Sequence, residues 1–84
     1  MTSGMIEKFV ENKNRKNTVV NIHFKERGMV KGLFIRLADY DDLKYKNFWR
    51  VVHHEKIEEW NKTKNLDLAR IFNGLSFSRL TDEN

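Results

Sequence analysis

The chain contains no cysteine and no proline, and it has only four glycines in 84 residues. Without cysteine there is neither a disulfide framework nor a thiolate for metal binding or nucleophilic attack, which fits a reducing compartment. Without proline or a glycine-rich tract, nothing reads as a flexible linker between domains. The apolar runs reach only a few residues. That is far short of a membrane span or of the hydrophobic centre of a signal peptide, so a cytoplasmic protein is expected. No repeat or low-complexity tract is present. A chain of this length suits one domain with one core, near the size at which stability is thin.

What is present is positive charge, unevenly spread. The net charge is +4, yet residues 1–36 hold eight Lys/Arg against Glu7, Glu11 and Glu26, a local excess of +5. The remaining residues balance or lean acidic. A basic half attracts phosphate backbones or anionic surfaces without specifying which. A lysine-rich solvated surface has the same composition.

Order along the chain comes from periodicity. Met5, Ile6, Phe9 and Val10 form one helical stripe opposite Glu7, Lys8, Glu11 and Asn12, so an amphipathic helix capped by Ser3 is expected, lying on the rest of the domain. Asn12–Asn17 is a polar connection. In Val20-Asn21-Ile22-His23-Phe24 the apolar residues alternate with polar ones, the period of a strand. Glu26-Arg27-Gly28 is expected to reverse the chain, with Gly28 free to take positive φ. In the returning run Leu33, Ile35 and Leu37 share one face, and Val30, Gly32, Phe34 and Arg36 the other. Gly32 inside such a run indicates a bend or a close backbone approach. Ala38–Asn47 is a polar loop with two tyrosines and room for one helical turn. Phe48–Val52 resumes strand composition. Residues 53–63 are ambiguous: Ile57 and Trp60 are three apart and Glu58 with Lys62 suits a helix surface, but strand with an irregular middle is the expectation. Finally, Leu68–Phe72 and Leu75–Leu80 flank Asn73-Gly74, the dipeptide of a two-residue type I′ hairpin. That turn would line Leu68, Phe72, Leu75 and Phe77 on one face and put Arg70 and Arg79 at the barrel rim.

This order resembles the Sm-like family. Val20–Phe24, Gly28, Lys31-Gly32 and Asp39 look like its first motif, continued by Asn47 before Phe48-Trp49-Arg50-Val51, and Ala69–Gly74 looks like its second. The resemblance is loose at two points. Asp39 and Asn47 are further apart than in the family, and Asn73 stands where an arginine normally precedes the glycine. What it implies is a mainly β fold, a small five-stranded SH3/Sm-like barrel with an N-terminal α-helix. The domain would comprise residues 1–16 as helix and connection, 17–80 as barrel and 81–84 as a frayed tail. The edges of its fourth and fifth strands would be free to pair between copies as a homo-oligomer.

Chemistry-bearing residues are few. Tyr40, Lys44, Tyr45, Lys46 and Trp49 offer stacking surfaces beside phosphate-pairing charge, and Asn47 and Asn73 add base-edge hydrogen bonds if their loops converge. The alternative is that Trp49 is core and the tyrosines brace a loop. His53 and His54, with His23, invite a metal reading, but neighbours on a strand point to opposite faces. Asp39, Asp41 and Asp42 lack the spacing of a calcium loop. Ser3, Ser76 and Ser78 sit in no nucleophile elbow, and no glycine-rich phosphate loop occurs. The expectation is therefore a non-enzymatic module without a cofactor or metal. It would bind RNA or single-stranded nucleic acid, or else serve in protein–protein interaction or assembly.

Overall fold

The computed structural model describes residues 1–12 and 19–82. Most of the expected polar connection and the end of the expected tail lie outside these residues.

Helix α1 spans Ser3–Val10. Its cap is Thr2, one residue earlier than expected: the Thr2 hydroxyl accepts from the Met5 amide at 3.2 Å. The Ser3 hydroxyl turns instead to the Lys44 carbonyl. Ile6 is fully buried and Phe9 and Val10 pack beside it, whereas Met5 stays exposed.

Strands β1 (Val20–Phe24) and β2 (Met29–Phe34) form the expected antiparallel hairpin, with Val20 opposite Gly32 and Ile22 opposite Val30. The reversal does not use a left-handed glycine, since among the described residues no glycine has positive φ. Gly32 is where β3 comes close. A Cβ built there would lie 2.4 Å from Val51 Cγ1 and 3.0 Å from the Val52 carbonyl oxygen. The loop after β2 holds a short helix α2 (Tyr40–Tyr45). Strand β3 (Phe48–His53) follows and pairs with β2.

Residues 54–63 are not strand. A 3₁₀ turn over His54–Lys56 leads into helix α3 (Ile57–Thr63). The three-residue spacing of Ile57 and Trp60 wins because it lays both on one helix face, and Lys62 meets Glu58 at 3.4 Å on the solvent side. Lys64, with φ 52°, ends the helix in the left-handed region. After another 3₁₀ turn at Leu66–Leu68 comes β4 (Ala69–Asn73), paired with β3.

The expected Asn73-Gly74 hairpin does not form. Gly74–Ser76 is a 3₁₀ turn in which the Asn73 side chain accepts from the Leu75 amide at 2.9 Å. The next strand, β5 (Phe77–Asp82), crosses to the far side and pairs with β1. Thr81 and Asp82 therefore belong to a strand rather than to a frayed tail. Leu75, expected inside, is exposed.

The sheet runs β4-β3-β2-β1-β5, all antiparallel. It is rolled but open. Strands β1 and β4 are three spacings apart, about 14 Å across a flat sheet, yet the Phe24 and Phe72 rings meet at 5.7 Å. Still, among the described residues β4 pairs only with β3 and β5 only with β1, so the sheet stays open and the expected barrel is not closed. With α1, α2 and α3 present, the domain is mixed α/β rather than mainly β.

Each face of the sheet carries its own core. On one, Val20, Ile22, Trp49, Val51, Phe77 and Leu80 close over Ile6 of α1. On the other, Trp60 of α3 packs with Ile35, Val52 and Ala69, supported by Leu33 and Leu37. Strand β2 is partly buried on both sides, with Gly32 its one fully covered residue.

Candidate functional site

Beside α1, the loop between β2 and β3 and the turn between β4 and β5, which carry Asn47 and Gly74, converge. Asn47 ends α2 with φ 63°, a left-handed position that asparagine tolerates better than most side chains. Its carbonyl accepts from the Gly74 amide at 2.8 Å, joining the β2–β3 loop to the β4–β5 turn. Its side chain is committed inward. Nδ2 donates to the Met1 carbonyl at 3.0 Å, and Oδ1 accepts from Trp49 Nε1 at 2.8 Å. The Met1 amino group donates to the carbonyls of Gly74 and Phe77 at 2.9 and 2.8 Å, and burial followed by Lys25 holds its pKa below the usual value. Gly74 is needed here for want of a side chain, because a Cβ would lie 2.2 Å from Asn47 Oδ1 and 2.5 Å from Ile6 Cδ1.

The remaining expected residues separate into braced and open ones. Trp49 is 1 % exposed and belongs to the core. Tyr40 is half-buried against it, rings 6.0 Å apart, and its hydroxyl donates to Glu11 at 2.6 Å. Burial, then the Glu11 carboxylate, pushes the Tyr40 pKa well up. Lys44 lies 3.3 Å from Glu11, 3.5 Å from Asp41 and 3.7 Å from Glu7. Burial works against its charge, but the Glu11 bond and the three carboxylates outweigh it and hold the ammonium above the usual lysine value. Asp39 takes a two-pronged contact from Arg50, at 2.8 and 3.3 Å, which lowers its pKa against the opposing effect of burial. Asn73 is exposed but its side-chain oxygen serves its own turn. Tyr45, 91 % exposed, and its neighbour Lys46 face solvent. The structure thus joins Tyr40, Lys44, Asn47 and Trp49 into one internal network beside α1 and leaves Tyr45 and Lys46 outside it.

The histidines are arranged otherwise than strand alternation implies. His53 ends β3 and His54 opens the 3₁₀ turn, so their rings meet at 4.7 Å. His23 is elsewhere, bonded to Thr81 at 3.2 Å. Among the described residues, no group of three or more acidic or histidine side chains could hold a metal ion.

A cleft of about 350 Å³ lies between the β1–β2 turn, the β3–β4 connection and β4. Val30, Val51, Leu68 and Phe72 supply its apolar part. Arg27, Lys56 and Arg70 bring positive charge to it, and Glu55 and Asp67 negative charge. The Arg27 guanidinium stacks 4.2 Å from the Phe24 ring centre and 5.7 Å from that of Phe72. Arg70, which the sequence reading puts at a rim, sits 6.0 Å from the Phe72 ring. The sequence offered no other signal for this cleft, because its residues come from three segments whose meeting depends on the roll of the sheet.

The chain matches no protein-family model, no curated protein and no solved structure.

Proposed function

We propose that the chain is a small non-enzymatic domain of Sm-like, SH3-like outline that joins copies of itself along the edges of its sheet. The observation that carries this reading is the strand order. With β4 and β5 outermost, each pairs on one side only, and among the described residues no strand covers the other side. An uncovered edge is a template for another strand. Beside it, Ile71 on β4 is 49 % exposed and Leu75 in the following turn 61 % exposed. Apolar side chains next to an unpaired edge favour occupation by a second chain. The strand order and the meeting of Asn47 with Gly74 support the Sm-like outline; the α2 insertion between Asp39 and Asn47, and Asn73 in place of arginine, depart from it.

Light scattering tests the reading. The expected result is a mass above that of one copy, reduced to one copy by Ile71→Lys with the circular dichroism spectrum unchanged. A wild-type protein that stays a single copy at every concentration overturns it.

A second reading, binding of RNA or single-stranded nucleic acid, is favoured by one observation: the fully presented Tyr45 ring beside Lys46. Stacking of one base on such a ring contributes about 1–3 kcal/mol. Labelled RNA would then bind with affinity that falls steeply as salt rises, and Tyr45→Ala would weaken it by that amount.

A further inference from the structure

We propose that the cleft between the Arg27 turn and the β3–β4 connection is a binding site for a nucleoside monophosphate. The base would sit on Phe72 and the apolar floor, and the phosphate on Arg27 and Arg70. The cleft shares strand β4 with the assembly reading but uses the side chains of Arg70 and Phe72 rather than the strand's free edge or Ile71, and Tyr45 takes no part, so the inference goes beyond that reading.

Size, charge and shape converge on this ligand. A volume of about 350 Å³ falls in the range of small-molecule sites, roughly 300–1,000 Å³. The Arg27 guanidinium carbon lies 4.2 Å from the Phe24 ring centre and 5.7 Å from that of Phe72, a cation held over aromatic rings whose N–H groups can bond an anion. Among the described residues neither Arg27 nor Arg70 has a carboxylate within ion-pair distance, although Glu55 and Asp67 line the same cleft. Two such arginines over an aromatic ring form a receptor for phosphate attached to something flat.

The rest of the cleft narrows the class. Inorganic phosphate would leave the Val30 and Leu68 surface uncovered, and a neutral aromatic ring would leave both arginines unanswered. The carboxylates of Glu55 and Asp67 accept hydrogen bonds, which suits a ligand that also carries amino or hydroxyl donors, as a base and a ribose do. His53 adds a donor. Its Nδ1 accepts from the Glu55 amide at 3.2 Å, so the neutral ring keeps its proton on Nε2. Lys56 supplies a further cation at the rim.

Methyl-labelled NMR of the full chain tests the site with three probes: adenosine monophosphate, adenosine and inorganic phosphate. The expected result is that the monophosphate shifts the methyls of Val30, Val51 and Leu68 and binds about tenfold tighter than either other probe, a difference of about 1.4 kcal/mol. Arg27→Gln and Arg70→Gln, both at exposed positions, should each weaken it about tenfold while the remaining spectrum is unchanged. Phe72→Leu, which retains apolar bulk in the core, should weaken the monophosphate and not inorganic phosphate. A short single-stranded oligonucleotide distinguishes the two sources of such a nucleotide. The same methyls shifting at lower concentration place it in a strand, and a weaker effect assigns it as free. Methyls that do not respond to the monophosphate, equal binding of adenosine or inorganic phosphate, or unchanged affinity in both arginine variants would overturn the proposal.

Discussion

Asn47 makes single hydrogen bonds to Met1, Trp49 and Gly74 where the start of the chain, the start of β3 and the turn before β5 meet. Asn47→Ala removes both side-chain bonds, leaves the buried Trp49 N–H without its acceptor and keeps a left-handed backbone. The expected cost is about 2–4 kcal/mol. Asn47→Gly loses the same bonds but relieves the backbone, so it should be less harmful than alanine by about 1 kcal/mol. Urea denaturation should rank the three asparagine, glycine, alanine; alanine as stable as glycine would contradict the backbone part of the account. Gly74→Ala drives a methyl into Asn47 and Ile6. It should be destabilising at the upper end of the roughly 1–3 kcal/mol usual for overpacked cores, or beyond it. What the sequence cannot show is that the Asn47 side chain turns inward to Met1, 46 residues back, and to Trp49, or that its carbonyl meets the Gly74 amide, 27 residues on.

Helices α1 and α2 are held together by Tyr40, Lys44 and Glu11, and this link is sensitive to acid. The Tyr40 hydrogen bond, and then Lys44, lower the Glu11 pKa against the effect of burial. A carboxyl lowered in the folded state is protonated first in the unfolded chain, so its contribution is complete above the ordinary glutamate value of 4.5 and is lost as pH falls through the folded value. Asp39, lowered by Arg50, acts in the same direction just below its ordinary 3.8. Chemical denaturation over a pH series should therefore show stability falling on the acid side, and Glu11→Gln should flatten part of that fall. An unchanged acid limb would separate Glu11 from the stability of the α1–α2 contact.

Among the elements, the first hairpin was legible because two physical signals agreed: period-two alternation in β1, and a glycine in β2 where β3 leaves no room for a Cβ. Gly32→Ala should accordingly destabilise by about 1–3 kcal/mol, measured by the same denaturation. Helix α3 was not legible, since one apolar pair three apart and one charge pair are too few to establish a helical period over so short a run. The last two strands were misjoined because Asn73-Gly74 has the composition of a hairpin turn. The dipeptide serves a 3₁₀ turn instead, with Asn73 capping it and Gly74 making space for Asn47. A local turn rule fails where a distant loop decides the geometry. For the same reason the cleft escaped sequence reading, apart from Arg70.

For the molecule as a whole, the open roll matters more than the helices. It leaves β4 and β5 each paired on one side among the described residues and brings Phe24 within reach of Phe72. Among the described residues no helix is long and apolar enough to cross a membrane. Because Ile71 alternates with Arg70 and Phe72 along β4 and does not line the cleft, Ile71→Lys should abolish the higher mass in light scattering without changing the nucleotide-induced methyl shifts. Loss of both together would show that the cleft is completed by a neighbouring copy.

The two indoles offer an independent report on the layers. Trp49 lies on one side of the sheet and Trp60 on the other, each almost wholly shielded from water. Their emission thus monitors opposite halves of the domain. If Trp49→Phe and Trp60→Phe melt with coincident fluorescence and circular dichroism transitions, the halves unfold as a single cooperative unit. If Trp60 emission shifts red at a lower temperature, the α3 layer detaches first and the strands beneath it are exposed before the rest gives way.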